Sequence, residues 1–223
     1  MTDYRVLDLF AGLGGFSSAF EDSERWRVTT VDINERFDPD IQADMFELRP
    51  SDFSGGAFDV VLASPPCTAF SKACPREHYW DGEQEPALPE TRDFVALVYH
   101  TLGLIRGLAP EYWFIENPIG RLRWYLGEPT GRVAYCQYGR PYMKPTDLWG
   151  EHPPMNYRWC GYDASCHSEN THGGVANTAD PYPRDPAERA KVPHELSKAI
   201  RDACEAALDG EVAEQATLAE VTV

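Results

Sequence analysis

The feature that most constrains the fold is an apolar run that ends in a glycine-rich loop. Residues 5–9 are mostly apolar, and residues 10–15 contain three glycines. A short apolar run of this kind is typical of a buried strand. Glycines directly after it allow the backbone to approach a ligand at the start of the following helix. The pair therefore predicts the first strand and a ligand loop of an α/β fold.

The alternation of strand and helix patterns continues along the chain. Short apolar runs rich in β-branched or aromatic residues predict further strands at residues 28–32, 58–63, 112–116 and 132–138. Helical patterns start near residue 16 and cover residues 91–108 and 194–208. Strands that alternate with helices predict a Rossmann-like α/β fold with a mainly parallel sheet. Residues 73–89 are polar and proline-rich, and we expect them to form a mobile loop.

The charge of the chain bears on its partners. Its 223 residues carry 36 acidic and 20 basic side chains, for a net charge of −16, and only four of the basic residues are lysines. A surface that binds nucleic acid normally carries lysine and arginine, so this balance argues against DNA or RNA at first sight. A lysine-poor acidic composition is also typical of a very salty cytoplasm, where salt screens the repulsion of an anionic ligand. Composition leaves both a halophilic protein and an ordinary acidic protein open.

The cysteines and the N-terminal residues indicate the compartment. The six cysteines are not spaced as a disulfide framework, and the first residues lead into the first predicted strand without a secretory signal pattern. No apolar stretch approaches the length of a membrane span. We therefore expect a cytoplasmic, monomeric protein with reduced thiols.

Two acidic residues follow the glycine loop at spacings suited to a nucleotide-type cofactor. Asp32 closes the second predicted strand 20 residues beyond Gly12, where its carboxylate can accept both ribose hydroxyls. Asp44 follows the next segment and can accept from an adenine amino group. The loop pattern that contains Gly12 and Gly14 lacks the full dinucleotide fingerprint, which favours S-adenosylmethionine over NAD. The alternative is that the glycines only form a tight turn.

A cysteine and a carboxyl group lie at the ends of two later strands. Cys67 follows Pro65 and Pro66, which fix the backbone, so its thiol lies on a stiff loop at the carboxyl end of a strand. Glu116 ends the apolar run 112–116, and a buried carboxyl group can carry a proton near neutral pH. Taken alone, a cysteine in this position is more often a small buried side chain than a nucleophile, and Glu116 is equally consistent with a structural acid.

Together these segments resemble the cytosine carbon-5 DNA methyltransferases. The matching parts are residues 8–16, Asp32, Asp44, residues 65–67, 116–118, 138–141 and 192–193. The resemblance implies methyl transfer from S-adenosylmethionine to carbon 5 of a flipped-out cytosine in DNA, through a covalent adduct with Cys67 and with Glu116 at ring nitrogen 3. It also implies a cofactor site formed by Phe10, Gly12, Gly14, Asp32, Asp44 and Pro66.

The chain departs from the family pattern after residue 141. Two arginines of the family motif fall on Lys144 and Thr146. Lys144 keeps the positive charge and is assigned a catalytic role, whereas Thr146 cannot replace a cation. Arg140 is a candidate to compensate for that arginine. Ala190 stands near the place of an asparagine in the last family motif.

The resemblance also divides the chain into parts. We expect a catalytic core at residues 1–149, a small target-recognition insert at 150–186, a helix at 187–208 that returns to the core and a disordered acidic tail at 209–223. The small insert predicts a short recognition sequence or a partner that supplies specificity, and the compact chain suits a viral or haloarchaeal enzyme of restriction–modification type. Two alternatives stay open: an enzyme that methylates RNA, and a relative that binds DNA or cofactor but has lost catalysis.

The insert carries a group of side chains that often bind metals. They are His152, Cys160, Cys166, His167 and His172. Thiols and imidazoles this close in sequence can form a zinc site, and a small segment with little core would gain stability from a metal. The spacing is not that of a standard zinc finger, and ordinary loop residues are the alternative.

Overall fold

The computed structural model of the chain describes residues 3–53, 58–72, 76–81, 84–161, 165–166 and 183–210. The strands are β1 (Tyr4–Leu9), β2 (Trp26–Asp32), β3 (Ile41–Gln42), β4 (Val60–Ala63), β5 (Trp80–Asp81), β6 (Glu85–Pro86), β7 (Tyr112–Pro118), β8 (Gly131–Ala134) and β9 (Pro145–Trp149). The α-helices are α1 (Ser18–Glu21), α2 (Arg76–Tyr79), α3 (Pro89–Leu108), α4 (Arg123–Leu126), α5 (Pro186–Ala190) and α6 (His194–Leu208). Short 3₁₀ turns cover Glu35–Phe37, Met45–Glu47, Pro50–Asp52 and Tyr135–Tyr138.

Seven of these strands form one mixed sheet in the order β3-β2-β1-β4-β7-β9-β8. The first five run parallel, whereas β9 runs antiparallel to both β7 and β8. The strand order reverses between β1 and β4, and open α/β sheets bind ligands beyond the carboxyl ends of the strands at such a point. The predicted α/β fold with a mainly parallel sheet is confirmed.

Both faces of the sheet are covered, which explains why its central strands are apolar throughout. On one face, Phe20 of α1 and Leu196 of α6 belong to the same apolar cluster as Val6 of β1. On the other face, Val98 of α3 belongs to a second cluster with Leu7 of β1. Successive residues of β1 therefore point into different halves of the core.

The C-terminal helix is fastened to the loop that follows β1. Helix α6 has the bounds of its helical pattern, whereas the helix expected over 187–208 is divided, because α5 ends at Ala190 and α6 begins at His194. The Ser197 hydroxyl of α6 donates to the carbonyl oxygen of Phe16 at 2.6 Å. Asp209, which falls in the predicted acidic tail, accepts from Arg25 at 2.7 Å and from the Tyr4 hydroxyl at 2.7 Å. Residues 211–223 of that tail lie outside the described residues.

Three segments differ from the sequence-based expectation. The predicted strand 132–138 ends at Ala134 and continues as a 3₁₀ turn, because Gly139 follows with a φ of 85° that a strand does not have. Strand β9 was not predicted. Residues 76–81 and 84–86 hold α2 and the β5–β6 hairpin, and the buried Trp80 fixes the hairpin by donating to the carbonyl oxygen of Ala69 at 2.7 Å. The expectation that this segment is a loop is therefore wrong for these described residues.

Candidate active site

A cleft of about 370 Å³ opens at the carboxyl ends of β1 and β2. The loop after β1 turns sharply, since Phe10, Gly12 and Gly14 have φ values of 63°, 54° and 65°. Phe10 and Gly12 line the cleft. Gly14 is not one of the lining residues, and its contribution is the left-handed turn, which glycine adopts without strain.

The two predicted acids lie in the wall of this cleft and are held by backbone amides. Asp32 Oδ2 accepts from the amide of Gly12 at 2.9 Å, and its Oδ1 accepts from the amide of Asn34 at 2.9 Å. Asp44 caps the following 3₁₀ turn by accepting from the amide of Phe46 at 3.0 Å. Each Asp32 oxygen retains a further lone pair that can accept a hydroxyl.

Much of the cleft wall was not predicted from the sequence. The apolar lining residues outside the motifs are Ile33, Phe37, Met45, Phe46 and Leu97. The segment before α6 closes another side, because Ala190, Lys191 and Val192 also line the cleft. Gly15 permits this closure, since a Cβ atom at that position would lie 2.6 Å from the amide nitrogen of Val192. The resemblance had marked this segment through Ala190 and residues 192–193, and the third glycine of the loop is the second sequence signal for the contact.

The loop after β4 reaches the same cleft and carries the predicted nucleophile. Ser64 and Pro66 line the cleft, and Cys67 is the next residue and is half-buried. The buried Asn117 side chain donates to the carbonyl oxygen of Pro65 at 2.9 Å, which anchors the loop to the end of β7. The Cys67 carbonyl oxygen accepts two amides, at 3.0 and 2.9 Å, so the turn that follows it is closed.

Glu116 lies next to that anchor and is almost completely buried. Its Oε1 accepts from the Tyr135 hydroxyl at 2.8 Å and lies 3.7 Å from the ammonium of Lys144. Lys144 also donates to the Tyr135 hydroxyl at 3.3 Å. Burial, together with the nearby Glu116, raises the pKa of Tyr135 well above its usual value, so that its hydroxyl keeps the proton it donates. The structure thus brings Glu116 and Lys144 together through Tyr135, which no motif had indicated.

Thr146, which stands where the family motif has an arginine, and Arg140, the candidate to compensate for that arginine, have different surroundings. Thr146 is completely buried in β9, opposite Pro118 of β7, and its hydroxyl donates to the carbonyl oxygen of Lys144 at 3.2 Å. Arg140 donates to the carbonyl oxygen of Lys191 at 3.4 Å. The described side-chain contact of Arg140 is therefore with the segment that closes the cleft.

The side chains considered for a metal do not form one group. His152 stacks on Phe114 with ring centroids 4.2 Å apart, and burial lowers its pKa. Cys160 and Cys166 instead lie beside Cys136, which the sequence reasoning did not include. His167 and His172 lie outside the described residues.

Comparison with known proteins places the chain in a family. The sequence pattern of C-5 cytosine-specific DNA methylases matches residues 4–122, which contain the glycine loop, Asp32, Asp44, Cys67 and Glu116. The chain belongs to this family. The expected enzyme class, a DNA cytosine-5 methyltransferase, is thereby confirmed.

Two relatives and one solved structure resemble this methylase. A probable DNA (cytosine-5)-methyltransferase of Frog virus 3 (isolate Goorha) is 33% identical over 168 residues, which is 73% of this chain and 77% of that protein. The type II methyltransferase M.DdeI of Desulfomicrobium norvegicum is 28% identical over 167 residues, 61% of this chain but only 37% of that protein. A methyltransferase of Entamoeba histolytica shares the fold, with a TM-score of 0.53, 10% identity and coverage of 93% and 99% of the two chains.

No helix in the described part of the methylase is both long enough and apolar enough to span a membrane.

Proposed function

We propose that the cleft binds S-adenosylmethionine and that Cys67 and Glu116 act together on a cytosine of DNA. One observation carries this assignment: Pro66, the residue before Cys67, lines the same cleft as Asp32 and Asp44. A methyl donor held by the two acids would therefore meet a base held at the nucleophile loop. The reaction and the cofactor site would share one opening at the switch point of the sheet.

The residues of the cleft suit this cofactor. S-adenosylmethionine supplies, when bound, an electrophilic methyl group. Asp32 would accept hydrogen bonds from the ribose hydroxyls, and Asp44 would accept one from the adenine amino group. Ile33 and Phe46 would contact the apolar faces of the nucleoside. Ser64 offers a buried hydroxyl that has no partner among the described residues, which is expected where a polar ligand binds. The cleft volume lies in the range of small-molecule sites.

The roles of the catalytic residues follow from their positions. Cys67, as thiolate, would add to carbon 6 of the cytosine while Glu116 gives a proton to ring nitrogen 3. The addition of the thiolate raises the electron density at carbon 5. Tyr135 and Lys144 occupy Oε1 of Glu116 and so leave Oε2 for the base. After methylation, a base would take the carbon-5 proton, Cys67 would leave as thiolate, and ring nitrogen 3 would return its proton to Glu116, which restores the aromatic ring.

The beginning of the proposed recognition insert offers groups suited to nucleic acid. The Arg132 guanidinium lies 5.4 Å from the ring centre of Trp159, whose surface is 39% exposed. Arg158 is exposed and offers a second guanidinium, which lies 4.0 Å from the ring centre of the buried Tyr138. Arginine and aromatic side chains together stack on bases and meet phosphates. Similarity to the type II methyltransferase of D. norvegicum supports a role in restriction–modification.

The decisive experiment follows labelled methyl groups from S-adenosylmethionine into cytosine-containing duplex DNA, with RNA as a competing substrate. Because the chain carries a net charge of −16, the assay is run at low salt and in molar KCl. We expect label in DNA, and a loss of at least about 1,000-fold for Cys67→Ala, with cofactor binding retained. Label in RNA alone, or undiminished transfer by Cys67→Ala, would contradict the proposal.

A further inference from the structure

Three thiols from two parts of the chain meet beside the antiparallel edge of the sheet. The sulfur atoms of Cys136, Cys160 and Cys166 all lie within 4.8 Å of one another. Cys136 belongs to the 3₁₀ turn after β8, whereas Cys160 and Cys166 follow β9. We call these residues the thiol cluster.

We propose that the thiol cluster binds a zinc ion. Tetrahedral zinc with Zn–S bonds of about 2.3 Å requires sulfur atoms about 3.8 Å apart. The cluster brackets that value, since Cys136 and Cys160 are 3.0 Å apart and no pair exceeds 4.8 Å. Thiolates select soft or borderline cations, and a site dominated by sulfur is typical of structural zinc. Structural zinc takes four ligands, and the described residues supply three of them.

The surroundings of the thiol cluster also suit a metal. Cys160 is buried in a small apolar group with Ala134 and Met143, which limits the access of water. Cys166 is exposed, which leaves a path for the ion. The Gln137 side chain donates to the Cys166 sulfur at 3.2 Å, and such outer hydrogen bonds orient metal ligands.

A zinc ion in this position would connect the recognition insert to the catalytic centre. Cys136 directly follows Tyr135, which holds Glu116. On the insert side, Arg158 lies two residues before Cys160, and its carbonyl oxygen accepts from the amide of Ala134 at 3.1 Å. The metal would therefore fasten the start of the insert to the turn that positions the catalytic carboxyl group.

The test measures metal content in the full chain, purified without chelators. We expect elemental mass spectrometry to find about one zinc ion per chain. When cobalt replaces zinc, we expect absorption from thiolate-to-cobalt charge transfer. Because Cys166→Ser changes an exposed side chain, the variant protein should keep its fold. The substitution should lower the zinc affinity at least about tenfold. Cys136→Ser should do the same.

Cys67→Ser is the matched control, because it also removes one thiol but lies outside the thiol cluster, and it should keep its zinc. The proposal would be overturned by folded wild-type protein that binds neither zinc nor cobalt, by iron in place of zinc, or by a Cys136–Cys160 disulfide found by alkylation and mass analysis. Unchanged zinc in both Cys166→Ser and Cys136→Ser would do so as well. None of these readouts depends on methyl transfer.

Discussion

The two parts of the sheet bury carboxyl groups in opposite ways. In the parallel part, Asp8 of β1 is completely buried and forms no ion pair with the described residues, and its burial raises its pKa to about 7. At the antiparallel edge, Glu116 lies 3.7 Å from Lys144. Asp147 accepts two hydrogen bonds from Arg123, at 2.6 and 2.7 Å.

This difference indicates two ways of building a site. In the parallel part, loops at strand ends approach one another through glycines and backbone hydrogen bonds, and residues that line the cleft lie on those loops. At the antiparallel edge, charged and hydroxyl side chains hold the elements together. Glu116 lies at the boundary, because β7 pairs parallel with β4 and antiparallel with β9. The carboxyl group for which we propose the catalytic role is therefore held by both kinds of strand pairing.

The largest effect is expected where backbone contact positions the nucleophile loop. A Cβ atom at Gly120 would lie 2.0 Å from the carbonyl oxygen of Phe70, three residues after Cys67. Gly120→Ala must displace this loop, and displacement of about 1 Å can cost 100-fold in rate. We expect single-turnover methyl transfer to fall by at least about 100-fold, or about 3 kcal/mol, with a lower melting temperature.

Gly103→Ala is the matched control for that substitution. Gly103 lies within α3, and a Cβ atom there would meet nothing within 4 Å. Alanine should stabilise the helix by about 0.5–1 kcal/mol and leave the rate unchanged. A wild-type rate in Gly120→Ala would show that the backbone contact does not position the loop.

At the antiparallel edge, the corresponding test removes a charge partner. Arg123→Ala leaves the buried Asp147 with Arg132, whose nearest nitrogen is 3.8 Å away. Losing one partner of a buried pair is strongly destabilising, and we expect a loss of about 3 kcal/mol in urea unfolding. Arg132→Ala is the control, since that side chain is 45% exposed and its loss should cost less than about 1 kcal/mol. Equal losses of unfolding free energy in Arg123→Ala and Arg132→Ala would contradict the view that Arg123 is the main charge partner of Asp147.

Asp8 offers a pH-dependent test of the parallel part. Its pKa is raised by burial to about 7, so between about pH 4 and 7 the folded protein keeps a proton that the unfolded chain releases. This contribution is fully present below the unfolded pKa and is lost as the pH rises toward 7. Relative to Asp8→Asn, the wild type should lose about 2 kcal/mol of unfolding free energy between about pH 5.5 and 7.5. If the unfolding free energy changed with pH in the same way in the wild type and in Asp8→Asn, Asp8 would not titrate in this way.

The parallel part of the fold was largely predictable because its signals are local. Each buried strand is a short apolar run, and α6 begins and ends where its helical pattern does. Strand β9 was missed because its residues, Pro145–Trp149, begin with a proline, contain an aspartate and do not form a short apolar run. The turn Tyr135–Tyr138 resembles a strand in its residue types, and only the fold shows that it turns.

The same distinction applies to the candidate site. Asp32 and Asp44 stand at fixed spacings from the glycine loop, and both line the cleft. Tyr135 and Cys136 had no motif to mark them, since their partners come from other strands and loops. His152 illustrates the converse, because its sequence neighbourhood suggested a metal ligand whereas its ring stacks on Phe114.

The smallest predicted effect tests whether the antiparallel edge is tuned for catalysis. Tyr135→Phe removes the hydroxyl that donates to Glu116 at 2.8 Å and leaves the ring in place. We expect kcat to fall about tenfold, or about 1.4 kcal/mol, as for one lost hydrogen bond to a charged or reacting group. The dissociation constant of S-adenosylmethionine should not change, and the pH profile of kcat should shift.

Tyr138→Phe makes the same chemical change in the same turn. The Tyr138 hydroxyl donates to the carbonyl oxygen of Asn156 at 3.2 Å and accepts from the amide of Arg158 at 3.1 Å. Its loss should cost about 1 kcal/mol of stability without altering kcat or its pH profile. If both variants lost stability and neither lost rate, the hydroxyls of this turn would serve only to hold the edge strands, and Glu116 would be positioned by β7 alone.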